Sequence, residues 1–199
     1  MKKIGAILIV SLMLCNIINA RTMKDFFLSI PIEIMPMLSY DNKLDCIDFI
    51  ESKMKAKVNN AFGDVSELLL LQDDYLKLQE SSMVLQEMAM LCKGKKDTLL
   101  CIITTYQFAN PESKIEFYSK DWEKLSAKKY IKQPTIESFL DVEKKTEVFD
   151  GSISATFSKN RDIVFTFHRH PIDIDVIGED VKQFLPIKYK WENGMYRIY

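Results

Sequence analysis

The chain has 199 residues, of which 27 are Lys or Arg and 28 are Asp or Glu, so its net charge at pH 7 is −1. This balanced charge excludes a nucleic-acid binder held by counterion release. An apolar share of 47% with 28% charged residues is typical of a globular chain and not of a disordered one. Only two histidines and six glycines are present, so we expect no cofactor and no phosphate-binding loop.

The first twenty residues have the three parts of a secretory signal peptide. Residues 1–3 are a short positive start, residues 4–14 are an almost unbroken apolar run, and Ala20 is a small residue suited to cleavage. The apolar run is too short to span a membrane. The sequence therefore predicts export to the periplasm or outer surface of a Gram-negative bacterium, with no transmembrane span in the mature chain. Lipid attachment at Cys15 is the less favoured alternative, because processing there requires a small residue where Leu14 stands.

Removal of the signal segment leaves three cysteines, Cys46, Cys92 and Cys101. Cys92 and Cys101 flank the turn-like residues 93–97, so a hairpin would bring them opposite each other and allow a disulfide in an oxidising compartment. The alternative is a pair of reduced, buried thiols. Cys46 shares a helical face with Ile47, which indicates a buried structural thiol.

Two short helices are predicted at the start of the mature chain. Thr22 and Asp25 have the spacing of a capping box, and Pro31 ends the first helix. Asp41 is predicted to cap a second helix over residues 42–55, where apolar side chains recur at helical spacing.

An extended region is predicted over residues 57–119. The stretch 66–91 is rich in helix formers, but its polar doublets at 73–74 and 81–82 favour strands joined by tight turns over a single helix. Two further strands are predicted at residues 98–108 and 114–118 from their β-branched, aromatic or alternating character.

The last third of the chain is predicted to begin with a solvated, lysine-rich connection at residues 122–133. A helix starting at Pro134 and a short helical segment at 179–185 are also expected. Asn193-Gly194 is the strongest hairpin signal in the chain. The two predicted hairpins pair residues 152–157 with 163–167 and residues 187–191 with 195–199.

These elements predict an α+β fold. Short N-terminal helices and an antiparallel β meander occupy residues 21–125, after the signal peptide of residues 1–20. Residues 126–199 add a helix with two hairpins, either as a second unit or continuous with the first sheet in one domain.

Several segments resemble a known family. They are MKDFF at residues 23–27, LDCIDF at 44–49, DDYLKL at 73–78, the stretch from Cys92 to Cys101, and IEFY at 115–118 followed by Trp122. The chain is similar here to the secreted Gram-negative bacterial family catalogued as domain of unknown function 3256. The resemblance covers residues 22–122 and the C-terminal part more loosely. It implies export and favours strands over residues 66–91, but it brings no known activity, ligand or catalytic residue.

The one cluster of ligand-type side chains follows the first C-terminal hairpin. His168 and His170 lie two apart on a predicted strand, so both imidazoles could face one metal ion with Asp173 or Asp175 as a third ligand. Pro171 changes the chain direction before the two aspartates, and Arg169 places a positive charge beside the site. The alternative is therefore an ordinary polar strand end.

The last hairpin carries an aromatic ladder of Tyr189, Trp191 and Tyr196. Such a ladder is either a platform for sugar rings or a partner protein, or the core face of the hairpin, with its lysine side in water.

The sequence hypothesis is thus a non-catalytic binding or interaction module of the cell envelope, whose partner is an envelope protein or a glycan. The alternative is a small metal-assisted hydrolase centred on His168 and His170.

Overall fold

The computed structural model describes residues 21–93, 97–139, 150–169 and 184–199. The signal peptide predicted over residues 1–20 lies outside them and stays a prediction. The helices are α1 (Met23–Ser29) and α2 (Tyr40–Glu51). The strands are β1 (Ala56–Asn59), β2 (Val65–Leu71), β3 (Tyr75–Ser81), β4 (Val84–Lys93), β5 (Asp97–Tyr106), β6 (Glu112–Ser119), β7 (Lys124–Leu125), β8 (Gly151–Phe157), β9 (Ile163–Arg169), β10 (Ile187–Glu192) and β11 (Met195–Ile198).

Strands β1 to β7 form an antiparallel meander in chain order. The predicted α+β fold is confirmed, and so is the choice of strands over a helix for residues 66–91. The polar doublets mark the turns: Asp73 and Asp74 lie between β2 and β3, while Ser82 follows the end of β3. Asp and Ser favour turns because their side chains can bond nearby backbone groups.

The two helices cover one face of the meander, which we call the outer face. Thr22 and Asp25 form the predicted capping box of α1. The N-cap of α2 is Ser39, which forms a second capping box with Asn42, so the prediction of Asp41 as the cap was wrong. The apolar sides of both helices pack against even-numbered strand residues such as Leu76, and this burial holds the helices in place.

Strands β8 to β11 form a second antiparallel sheet in the order β11-β10-β9-β8. It packs against the opposite, inner face of the meander, where the apolar core includes Cys101, Phe117 and Phe165. Both predicted hairpins are confirmed. Asn193 and Gly194 have positive φ angles of 52° and 82°, the left-handed pair that a two-residue hairpin turn requires.

The connection at 122–133 differs from its prediction. Trp122 packs edge-on against Phe26 at 6.1 Å between ring centroids, and Tyr130 and Ile131 are buried in the inner core. Their burial was not predicted, because these few apolar residues lie among lysines and have no helical or strand spacing. The predicted helix after Pro134 is a short 3₁₀ turn, Ile136–Phe139. The helical prediction for 179–185 falls mostly outside the described residues. None of the described helices is long and apolar enough to cross a membrane.

Candidate functional site

A cleft of about 640 Å³ opens on the outer face, beside the area that the helices cover. One wall is the loop of residues 31–37, which links α1 to α2. The floor and the other wall come from β3, β4, β5 and β6. We call it the Glu80 cleft, after the most buried carboxyl group in its lining.

Glu80 reaches the cleft because it continues the outward-facing series of Leu76 and Leu78 along β3. Its side chain is therefore held where an apolar residue would be expected, and the residue is only 3% exposed. Burial raises the pKa of Glu80 to about 7, and a hydrogen bond from the backbone N–H of Met37 opposes part of that rise. Oxygen Oε1 has no hydrogen-bond partner.

Gln86 supplies a second buried acceptor on the neighbouring strand. It is 5% exposed and lines the same cleft, and its Oε1 also has no hydrogen-bond partner. Thr104 on β5 lies directly opposite Gln86 in the ladder and adds a hydroxyl to the floor. A buried polar atom left without a partner costs about 1–3 kcal/mol, so a ligand that donates to these oxygens would recover that energy.

Two lysines share one glutamate at the β6 side of the cleft, which leaves one net positive charge there. Lys114 and Lys124 contact the same oxygen of Glu116 at 3.0 and 2.6 Å. Burial alone would raise the pKa of Glu116, but hydrogen bonds from the two lysines outweigh it and lower the pKa. This side of the cleft therefore holds a satisfied ion cluster, in contrast to the unpartnered oxygens of Glu80 and Gln86.

An aromatic pair stands at the mouth of the cleft. Tyr106 and Phe108 stack with 6.4 Å between ring centroids and 9° between planes, although both rings are exposed. Tyr106 also lines an adjoining cavity of about 370 Å³ next to Ser113 and Gln133. Tyr106 thus borders both hollows, and a long ligand could pass over it from one to the other.

The arrangement of the cleft provides acceptors, a hydroxyl and aromatic surface.

The chain matches the model of the family described as "Protein of unknown function (DUF3256)" over residues 15–196. The chain belongs to this family. The resemblance noted in the sequence is therefore confirmed.

A domain of an uncharacterized protein from Porphyromonas gingivalis W83 shares the fold of this DUF3256 chain, with a TM-score of 0.73 and 17% sequence identity. The match covers 90% of this chain and 100% of that chain. At this identity the likeness shows the fold alone. A comparison with curated proteins gave no match.

The predicted metal site of the DUF3256 chain is described only in part. His168 lies near the end of β9, and its Nε2 is 2.7 Å from Oγ of Ser154. Partial burial lowers the pKa of His168. His170 and Asp173 lie outside the described residues, so the metal-assisted hydrolase stays a prediction. Within the described ranges, no three His, Cys, Asp or Glu side chains are grouped to hold a metal ion.

The predicted disulfide is not formed. Lys93 pairs with Asp97, so the register sets Cys92 opposite Thr98, and Cys101 opposite Ala89. The two cysteines are therefore three ladder positions apart, about 10 Å along the strands, which is beyond the reach of a disulfide. Cys46, Cys92 and Cys101 are all free thiols. Cys46 is buried as predicted, and burial raises its pKa to about 11.

The aromatic ladder belongs mainly to the core. Tyr189 and Tyr196 are buried, and their hydroxyls donate to the carbonyls of Lys132 and Arg161. Trp191 faces Tyr196 as predicted and donates from its indole N–H to the carbonyl of Cys92. The two tyrosine rings therefore belong to the core face, whereas Trp191 is only partly buried, and a binding role for the ladder stays a prediction.

The residues of the Glu80 cleft were missed by sequence reasoning. One signal was present: Glu80 stands in phase with Leu76 and Leu78 on one predicted strand. A charged residue in phase with core residues must either find a partner or line a cavity. The lining from loop 31–37 and from β6 had no such signal, because only the tertiary fold brings those segments together.

Proposed function

We propose that this DUF3256 protein is an exported, non-catalytic binding module of the cell envelope, and that its partner binds in the Glu80 cleft. One observation carries the proposal: two buried residues of the cleft lining, Glu80 and Gln86, each have a side-chain oxygen, Oε1, without a hydrogen-bond donor. Buried polar groups in proteins are nearly always paired. Two unpaired ones at the floor of an open cleft are suited to a ligand that donates to both.

Export rests on the sequence of residues 1–20. To test export, the protein is recovered from envelopes of its native host, and its intact mass is measured to locate the N-terminus. Cleavage after Ala20 gives a chain that starts at Arg21. A chain that still starts at Met1 would contradict export.

Binding in the cleft can be measured with its own tryptophan. The chain has two tryptophans, and Trp122 lines the cleft whereas Trp191 lies against β4. The Trp191→Phe variant of the mature chain, titrated with size-fractionated soluble extracts of native envelopes, should show a saturable change in Trp122 emission. The matched Trp122→Phe variant, which retains Trp191, should show none.

The proposal also specifies what abolishes the response. Glu80→Leu in the Trp191→Phe background replaces the buried carboxyl with an apolar side chain of similar size, and it should remove most of the signal while the thermal midpoint stays unchanged or rises. If no fraction changes Trp122 emission, or if Trp191 responds equally, the cleft is not the binding site.

A further inference from the structure

We infer that the Glu80 cleft takes a neutral carbohydrate chain, whose hydroxyl groups donate to Glu80 and Gln86 while a sugar ring lies against Tyr106. This inference rests on the proposed function and names the ligand class of the same site.

The first step concerns hydrogen-bond donors. Glu80 and Gln86 are in adjacent strands, each with one unpartnered oxygen, and the hydroxyl of Thr104 lies across the ladder from Gln86. A ligand that satisfies this floor must carry two or more donors close together, and one of its groups should be able to accept as well. Neighbouring hydroxyls of a sugar ring meet both requirements, since each hydroxyl is a donor and an acceptor.

The second step concerns charge. The cluster of Lys114, Lys124 and Glu116 carries one net positive charge, which a cationic ligand beside Glu80 would meet on the neighbouring wall. An anionic ligand would meet the acceptor oxygens of Glu80 and Gln86 and the carboxyl group of Glu33 in the lining. Either charge would therefore face a repulsive or desolvated contact. A neutral ligand avoids both.

The third step concerns shape. Tyr106 is 38% exposed and Phe108 is 61% exposed, yet the two rings stack nearly parallel. An aromatic face that remains in water beside polar groups is suited to the apolar face of a sugar ring. Because Tyr106 lines both the 640 Å³ cleft and the 370 Å³ cavity, a chain of several sugars can extend over it from one to the other.

The experiment uses four hexasaccharides of similar length and different charge: neutral chitohexaose and maltohexaose, the cationic glucosamine hexamer, and anionic hexagalacturonate. Each is titrated into the Trp191→Phe variant of the mature chain, with calorimetry on the unmodified mature chain. We expect a neutral hexasaccharide to bind saturably and more tightly than both charged ones. Gln86→Leu and Tyr106→Ala should each weaken it about tenfold, while Lys159→Ala, in an exposed turn remote from the cleft, should leave binding unchanged.

The outcomes separate the inference from the proposed function. If neither neutral hexasaccharide binds, if a charged hexamer binds more tightly, or if the variants bind as well as the parent, the inference is overturned. Envelope fractions that still change Trp122 emission would then leave the proposed function standing with another ligand class. Circular dichroism and the thermal midpoint of each variant confirm that a loss of binding is not a loss of fold.

Discussion

Two buried glutamates of the same sheet have opposite surroundings. Glu87 on β4 is 1% exposed and points to the inner face, where the hydroxyls of Tyr75 and Thr156 donate to its two oxygens. Glu80 on β3 is 3% exposed and points to the outer face, where one oxygen has no partner. Thr156 belongs to the second sheet, so Glu87 joins the two layers, whereas Glu80 faces a cleft.

The difference teaches how to separate structural polar groups from functional ones in a protein without catalytic motifs. Burial alone does not distinguish the two glutamates, because both are almost inaccessible. The two glutamates differ in how many of their carboxyl oxygens have a hydrogen-bond partner. A carboxyl with all its partners stabilises the fold, whereas one with an unpartnered oxygen at a cleft lowers stability and is retained where a ligand completes it.

The largest expected effect comes from removing the inner glutamate. Glu87→Ala leaves the hydroxyls of Tyr75 and Thr156 without their acceptor and opens a gap between the sheets, so we expect a loss of about 4 kcal/mol in the free energy of unfolding. Denaturant unfolding measures it. The matched change Glu80→Ala should cost less than about 1 kcal/mol, because it removes a poorly satisfied group at an open cleft. Equal losses for the two variants would break the comparison.

The pH dependence of stability sharpens the same contrast. The pKa of Glu80 is raised from 4.5 to about 7 in the folded chain, with burial as the largest cause. Between these values the folded state retains a proton that the unfolded chain has released. The resulting stabilisation is complete below pH 4.5 and is lost as the pH rises through 7. Relative to Glu80→Gln, the unmodified protein should lose about 3 kcal/mol across this interval.

The charged neighbours of Glu80 make this test specific. Glu33, Lys114, Glu116 and Lys124 also line the cleft, and they are present in both proteins, so their titration cancels in the difference. Unfolding of the two proteins in urea at pH 4, 6 and 8 gives the difference directly. A difference that stays constant from pH 4 to 8 would show that Glu80 titrates near its ordinary pKa and is well solvated.

The sequence was informative where local patterns decide the structure. The capping box at Thr22, the polar doublets between strands and the Asn193-Gly194 turn are local signals, and each marks its structural feature correctly. The predicted pairing of Cys92 with Cys101 in the β4–β5 hairpin was wrong, because the length of the turn sets the register. Lys93 pairs with Asp97, and a longer or shorter turn would place different residues opposite the two cysteines.

The candidate site could be anticipated only in part. Glu80 shows a detectable conflict between its charge and its apolar strand face, but Trp122 and Lys124 reach the cleft through the return of β7 to β6. Loop 31–37 is placed by helices that pack on the sheet through residues far apart in sequence. Such long-range packing leaves no periodic trace in the chain.

A smaller effect compares two tyrosines. The hydroxyl of Tyr196 is buried and donates to the carbonyl of Arg161 at 2.8 Å, whereas Tyr106 is at the exposed mouth of the cleft. Tyr196→Phe should therefore lower the free energy of unfolding by about 1 kcal/mol, and Tyr106→Phe should leave it unchanged. Thermal unfolding of both variants is the measurement. A larger loss for Tyr106→Phe would place that residue in the core and remove it from the site.

The smallest expected effect is on the reaction rates of the cysteine thiols, which report on the two faces of the meander. Cys92 is exposed, Cys46 is on α2 and is buried against the outer face of the meander, and Cys101 is buried between the sheets. The denatured mature chain should show three reactive thiols, and the native chain only that of Cys92. A single reactive thiol in the denatured chain would show that the disulfide between Cys92 and Cys101 does form.

In the Cys92→Ser variant we expect Cys46 to react faster than Cys101, because two short helices open more easily than two packed sheets. Faster reaction of Cys101 would mean that the joint between the sheets, including Glu87, is the weaker layer, and would reverse the contrast between the faces.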